Sequence, residues 1–161
     1  MGGLNIMYDI EKMLAEGRTI FPVVDHNGQI VGAVGRSQNA QPKYKCVGKG
    51  FVGNVLTDNK VIVLTEGFID VLVAQAQKVN NVLSVVGEVA NDAIQAFKER
   101  NKTIILFFDQ DEYGKRQAEK LAKRMAETGL AVYIFETDAA VDMLQYLMLG
   151  HSAESILNII K

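Results

Sequence analysis

Apolar positions change their period part-way along this chain. Near the start they recur at Ile6, Ile10, Met13 and Leu14, a helical spacing in which side chains three and four apart share a face. Gly17 follows as a stop. Two β-rich runs, Thr19-Ile-Phe-Pro-Val-Val-Asp25 and Gln29-Ile-Val-Gly-Ala-Val-Gly-Arg36, then flank Asn27-Gly28, a dipeptide suited to a tight hairpin turn. Residues 37–59 have little periodicity and are rich in Gly, Asn, Gln and Lys. They read as a loop carrying Lys43, Lys45 and Lys49.

From Lys60 onward short apolar runs alternate with amphipathic ones. Residues 61–65, 82–86, 103–108 and 131–136 are runs of the kind that form strands buried on both faces. Residues 69–77, 92–100 and 112–128 are helical, the last with Ala118, Leu121, Ala122 and Met125 on one face and Gly129 closing it. Two more helices are predicted at 141–149 and 152–160, separated by Gly150. The alternation implies right-handed crossovers. It predicts an α/β fold with a central, mainly parallel four-stranded sheet flanked by helices (residues 60–161), preceded by a small α+β subdomain with a β-hairpin (residues 1–59).

Composition limits what such a fold can do. At 161 residues, with 48% hydrophobic and 22% charged, the chain suits one sizeable core with a small appendage. No uncharged apolar run approaches bilayer length, so an integral membrane protein is not expected. The start lacks a basic segment followed by an apolar one, and the lone Cys46 has no intrachain partner, so a reducing cytoplasm is the expected location. A net charge of −2 means that any nucleic-acid contact must be local. One cysteine with His26 and His151 cannot complete a four-ligand structural zinc site, so no zinc is expected. His26 reads as a turn residue, His151 as a helix start and Cys46 as a loop thiol.

Ligands of open α/β sheets collect beyond the carboxyl ends of the strands, and two of those loops are acidic. Thr65-Glu66-Gly67-Phe68-Ile69-Asp70 puts Glu66 at a strand end and Asp70 one helical turn later. Phe108-Asp109-Gln110-Asp111-Glu112-Tyr113-Gly114 lets Asp109 and Asp111 point the same way from extended chain. Gathered carboxylates raise each other's pKa, a conflict that a hard divalent cation with a preference for oxygen removes. Mg²⁺ or Mn²⁺ is the expected cofactor.

At these residues the sequence resembles the Toprim family, whose signature is a glutamate after one strand and Asp-x-Asp after a later one. Upstream, Arg18-Thr-Ile-Phe-Pro-Val-Val-Asp25, Gly28-Gln-Ile-Val-Gly-Ala-Val-Gly-Arg36 and Pro42-Lys43-Tyr44 resemble the segment preceding Toprim in DnaG-like primases. That resemblance implies a nucleotidyltransferase that joins ribonucleoside triphosphates into short RNA primers on single-stranded DNA. Two metal ions would activate the attacking 3′-hydroxyl and hold the incoming triphosphate. Asp109 and Asp111 would be the main ligands, Glu66 a ligand or a proton acceptor, Asp70 a supporting group, and Asp142 a further ligand. Arg36, Lys43 and Lys45 would hold template or nucleotide phosphates, and Tyr44 would stack on a base or pack. Full-length primases of this family also carry a zinc module and a helicase-binding module, so a replicative helicase would be met through parts outside these residues.

Three positions depart from the family pattern. Lys45-Cys46-Val47-Gly48 stands where an Asn-Ser pair is usual, Gly87-Glu88 replaces Gly-Thr, and the late acidic motif is reduced to Asp142 with Asp138 nearby. Glu88 is thus either a ligand or a handicap. The competing expectations are a metal-dependent Toprim nuclease, or a catalytically weak nucleic-acid-binding module of a replication protein.

Overall fold

The computed structural model describes residues 2–137. The helices predicted at 141–149 and 152–160, and with them Asp142 and His151, lie outside the described residues.

Helix α1 (Gly2–Ala15) leads into the hairpin of β1 (Thr19–Val24) and β2 (Ile30–Arg36). The strands run antiparallel from Thr19 opposite Arg36 to Val24 opposite Ile30. The helix buries Met13 on the hairpin, where a Cβ on Gly35 would lie 2.6 Å from the Met13 sulfur. The predicted loop at 37–59 holds two short strands, β3 (Tyr44–Val47) and β4 (Gly50–Val52). Segments of four and three residues are too short to display an alternation, which is why the pattern reads as loop. Gly48, at φ +76°, makes the turn between them, and a Cβ there would collide with the Val31 carbonyl.

Beyond residue 60 the predicted alternation is realised. Strand β5 (Val61–Thr65), helix α2 (Phe68–Ala76), strand β6 (Val82–Val86), helix α3 (Asn91–Glu99), strand β7 (Thr103–Phe107), helix α4 (Glu112–Glu127) and strand β8 (Ala131–Ile134) follow in order. Strands β6, β5, β7 and β8 form the parallel four-stranded sheet. Strand β4 pairs antiparallel with β6 on one side and β1 on the other. It thereby joins both halves into one eight-stranded sheet in the order β3-β2-β1-β4-β6-β5-β7-β8.

Neighbouring residues of the central strands are buried on opposite faces. Ile62 and Leu64 of β5, Leu83 of β6 and Ile104 and Leu106 of β7 pack with Ile94, Phe97, Leu121 and Met125 of α3 and α4. Val63 and Ile105 join Val71 and Ala74 of α2 on the other face. A third cluster of Val23, Val34, Val52, Phe68 and Val86 lies where the antiparallel and parallel halves meet. Burying each of the larger of these side chains stabilises the fold by roughly 1.5–3 kcal/mol relative to exposure.

Candidate active site

Strands β5 and β7 are neighbours in register, Thr65 opposite Phe107, so the residues leaving their carboxyl ends emerge side by side. Glu66 is half-buried, and its Oε1 accepts a hydrogen bond from the Asp109 backbone N–H at 3.2 Å. The Glu66 loop is itself held: the Thr65 hydroxyl donates to the Gly67 carbonyl at 3.1 Å and the Ser84 hydroxyl to the Glu66 carbonyl at 3.3 Å.

Asp111 caps α4. Its Oδ1 accepts from the Gly114 N–H at 2.7 Å, satisfying a donor that the first helical turn leaves without a partner. A Cβ on Gly114 would collide with the Asp109 carbonyl, so the glycine after Asp-x-Asp lets the helix start directly against the acidic-loop backbone. Gln110, between the aspartates, is buried. Its Nε2 donates to the carbonyls of Phe108 at 2.8 Å and Phe135 at 3.3 Å, and its Oε1 accepts from the Thr137 N–H at 3.1 Å. It ties the acidic loop to the segment after β8. Sequence reasoning passed over Gln110, although alternation held the signal: if Asp109 and Asp111 face outward from extended chain, the residue between them faces the core.

Burial is the main cause that raises the Glu66 pKa above the ordinary carboxylate range, followed by the charge of Asp109 and, more weakly, that of Asp111. The Asp109 N–H opposes the shift. Glu66 therefore senses the charge of both aspartates. Asp70 is buried in the first turn of α2, and its carboxylate folds back over Gly67, where a Cβ would lie 3.0 Å from Oδ2. Among the described residues no three carboxylate, imidazole or thiol groups are gathered closely enough to hold a metal ion. The donor set at the strand ends is all oxygen, matching a hard cation, but its carboxylates are not drawn into a closed cage.

A cleft of ≈ 490 Å³ runs from Glu66 to the antiparallel half of the sheet. Val34, Phe68 and Val86 give it apolar walls, and Tyr44, Cys46 and Lys49 line its far side. Tyr44 meets Phe68 edge-on, with ring centroids 5.7 Å apart. Lys49, which sequence reasoning treated only as a loop cation, faces the same cleft as Glu66 because the β3–β4 turn brings it over Gly87. The other predicted cations are held beside β3. Arg36 stands opposite Tyr44 in the β2–β3 ladder. The Lys43 ammonium lies 5.5 Å from the Tyr44 ring centroid, and Lys45 forms an ion pair with Glu16 at 2.6 Å. Glu88 turns toward α4, 3.5 Å from Arg124.

The sequence model of the Toprim-like family matches residues 63–147, more than half the chain and all three strand-end carboxylates. The chain belongs to the Toprim-like family. This Toprim-like chain is 33% identical over 118 residues to a DNA primase of Buchnera aphidicola, covering 64% of the chain and 20% of that protein. It is 27% identical over 145 residues to a DNA primase of Staphylococcus aureus, covering 81% of the chain and 24% of that protein. The chain thus spans about a quarter or less of the length of these curated relatives. Its fold is similar to that of the Aquifex aeolicus primase, with a TM-score of 0.72 at 18% identity over 89% of the chain and 39% of that protein. It is also similar to the primase fragment of the bacteriophage T7 primase-helicase protein, with a TM-score of 0.62 at 26% identity over 87% of the chain and 60% of that fragment. The resemblance to DnaG-like primases drawn from the motifs is borne out, as is the Toprim-type α/β fold. Among the described residues no helix is long and apolar enough to cross a membrane.

Proposed function

We propose that this chain is the catalytic core of a DNA primase, which joins ribonucleoside triphosphates into short RNA primers on a single-stranded DNA template. In each cycle a 3′-hydroxyl would attack an α-phosphorus, forming a phosphodiester bond and releasing pyrophosphate. The observation that supports this reading is that Glu66, Asp109 and Asp111 leave the ends of two neighbouring parallel strands, with Glu66 lining a cleft whose far wall bears Tyr44 and Lys49.

Glu66, Asp109 and Asp111 would hold the divalent cation, Mg²⁺ or Mn²⁺, which when bound supplies Lewis-acid charge for phosphoryl transfer. The chain's own contribution is placement. The Asp109 N–H fixes the direction of the Glu66 carboxylate, and the Gly114 N–H fixes that of Asp111. Without a cation, Glu66 holds a proton more readily than an ordinary carboxylate does, as the electrostatics of a charge-matched cation site require. Asp70 buttresses the turn at Gly67 from within α2, and Asp142 would add a ligand from beyond the described residues. On the far wall, Tyr44 would offer an aromatic face for a base and Lys49 a cation for phosphates. Arg36, Lys43 and Lys45, beside the cleft on and next to β2 and β3, would add charge for template or nucleotide phosphates, Lys45 from its pairing with Glu16. A replicative helicase would be met through parts outside these residues.

The test is incubation with single-stranded DNA, labelled ribonucleoside triphosphates and Mg²⁺ or Mn²⁺, resolved on a denaturing gel. Short template-dependent RNA should form with the parent and not with an Asp109→Ala/Asp111→Ala variant. Cleavage of the DNA with no extension of labelled nucleotide would overturn the primase reading in favour of a nuclease.

A further inference from the structure

Helix α4 carries five cationic residues against three acidic ones, on a chain whose net charge is −2. Four of its residues, Tyr113, Gln117, Lys120 and Arg124, are spaced four, three and four apart, which places them in one stripe along the helix. All four line a second pocket, of ≈ 350 Å³, on the α3–α4 side of the sheet. This volume lies within the range of pockets that hold small ligands. The pocket floor is apolar, with Val89, Phe108 and Leu121 buried beneath it.

The rim is partly fixed and partly free. The Arg124 guanidinium donates to the Val89 carbonyl at 2.8 Å and the Asn91 Oδ1 at 2.7 Å, which immobilises it against the loop before α3. Its contact with Glu88 is longer, 3.5 Å, and the Glu88 side chain is 66% exposed, so that pairing is weak. Lys120 is exposed and makes no hydrogen bond or ion pair among the described residues. Tyr113, at the helix start, is 62% exposed. Two cations against one carboxylate leave the rim positive, beside an open aromatic ring and over an apolar floor.

The pocket also has a defined relation to the acidic loops. Phe108 immediately precedes Asp109, Tyr113 follows Asp111 by two positions, and Val85 and Gly87 line both this pocket and the cleft that reaches Glu66. The two openings thus adjoin at the end of β6.

We infer that the α4 pocket binds one nucleotide unit of a single-stranded nucleic acid, with the base against Tyr113 and the apolar floor and a phosphate on Lys120 beside the fixed Arg124. The inference rests on the primase reading for the identity of the polymer, but the pocket needs neither metal nor turnover to bind. A free nucleotide offers the same base and phosphate, so the two sources are separated by experiment.

Binding of a short fluorescein-labelled oligothymidylate is measured by anisotropy across a salt series, with chelator present, for the parent, Tyr113→Ala and Lys120→Ala. ATP is titrated in parallel by calorimetry. Both substituted positions are exposed, so the variants keep the fold, which circular dichroism verifies. Loss of one stacked base should weaken oligothymidylate binding in Tyr113→Ala by about fivefold or more. Loss of one phosphate contact should reduce the salt slope in Lys120→Ala by about 0.7. The same losses for ATP with none for the oligonucleotide would keep the pocket and make free nucleotide its ligand. Unchanged affinity and salt slope for both probes, or no binding of either by the parent, would overturn the inference. Because chelator is present, an inactive acidic centre cannot produce that result; it would show only as missing RNA on the gel.

Discussion

The two halves of the sheet hold their functional side chains by different means. In the parallel half Glu66 and Asp111 are each fixed by a backbone N–H, and Gln110 anchors the loop that bears the aspartates. In the antiparallel half two cations, Arg18 and Lys45, are held by another side chain. Glu16 accepts from both Arg18 and Lys45 at 2.6 Å, and Arg18 in turn donates to the Lys43 carbonyl at 3.1 Å. Backbone donors do not titrate, and they move only if the strand end unfolds, so the acidic centre is built for fixed geometry. Ion pairs respond to pH and salt, so the cationic strip is adjustable. On the proposed primase reading, bonds would form at the fixed groups and the polymer would slide over the yielding ones.

The largest effect expected from breaking the rigid half lies beneath it. Leu64→Ala would empty fully buried space under the Glu66 loop and should destabilise the protein by about 2–5 kcal/mol in urea unfolding. Gln110→Ala leaves three backbone groups without their side-chain partner. It should cost about 1–3 kcal/mol and weaken metal binding without removing a carboxylate. Equal metal affinity in Gln110→Ala and the parent would mean that the loop is set by its backbone alone.

Smaller effects are expected in the other half. Tyr44→Ala removes the edge contact with Phe68, worth about 0.5–1.5 kcal/mol, and should weaken binding of single-stranded DNA more than it weakens the fold. The Glu16 carboxyl is lowered from 4.5 to about 2, first by its hydrogen bond with Arg18 and then by that with Lys45. A depressed folded-state pKa gives stability that is present above the unfolded value and lost as pH falls through the folded one. Glu16→Gln should therefore flatten the decline of stability between about pH 4.5 and about pH 2, the variant being less stable than the parent at neutral pH and approaching it as pH falls. An unchanged acid limb in thermal unfolding would contradict the pairing.

The same division governs what could be read before the structure. Strands β5 and β6 were legible residue for residue because strands buried on both faces appear as uninterrupted apolar runs. The placement of Glu66, Asp109 and Asp111 at strand ends was legible because loops follow where such runs end. Strands β3 and β4 were not, since a three- or four-residue strand set among glycines owes its form to partners far away in the chain. Lys49 was missed for the same reason: its place in the cleft depends on the turn at Gly48 and on the β4–β6 pairing. Gln110 was hidden by its polarity, although a buried amide with three backbone partners is well satisfied. The meaning of Glu88 depended on Arg124, thirty-six positions later, a relation that no local pattern carries.

The central claim is that Glu66, Asp109 and Asp111 form a divalent-cation centre, and thermal unfolding against increasing Mg²⁺ or Mn²⁺ tests it most directly. A cation that binds only the folded chain raises its stability by about 2.7 kcal/mol at a hundred times its dissociation constant. The melting temperature of the parent should climb with cation concentration, and that of Asp109→Ala/Asp111→Ala should stay level. An equal climb in both proteins, or none in the parent, would contradict the assignment.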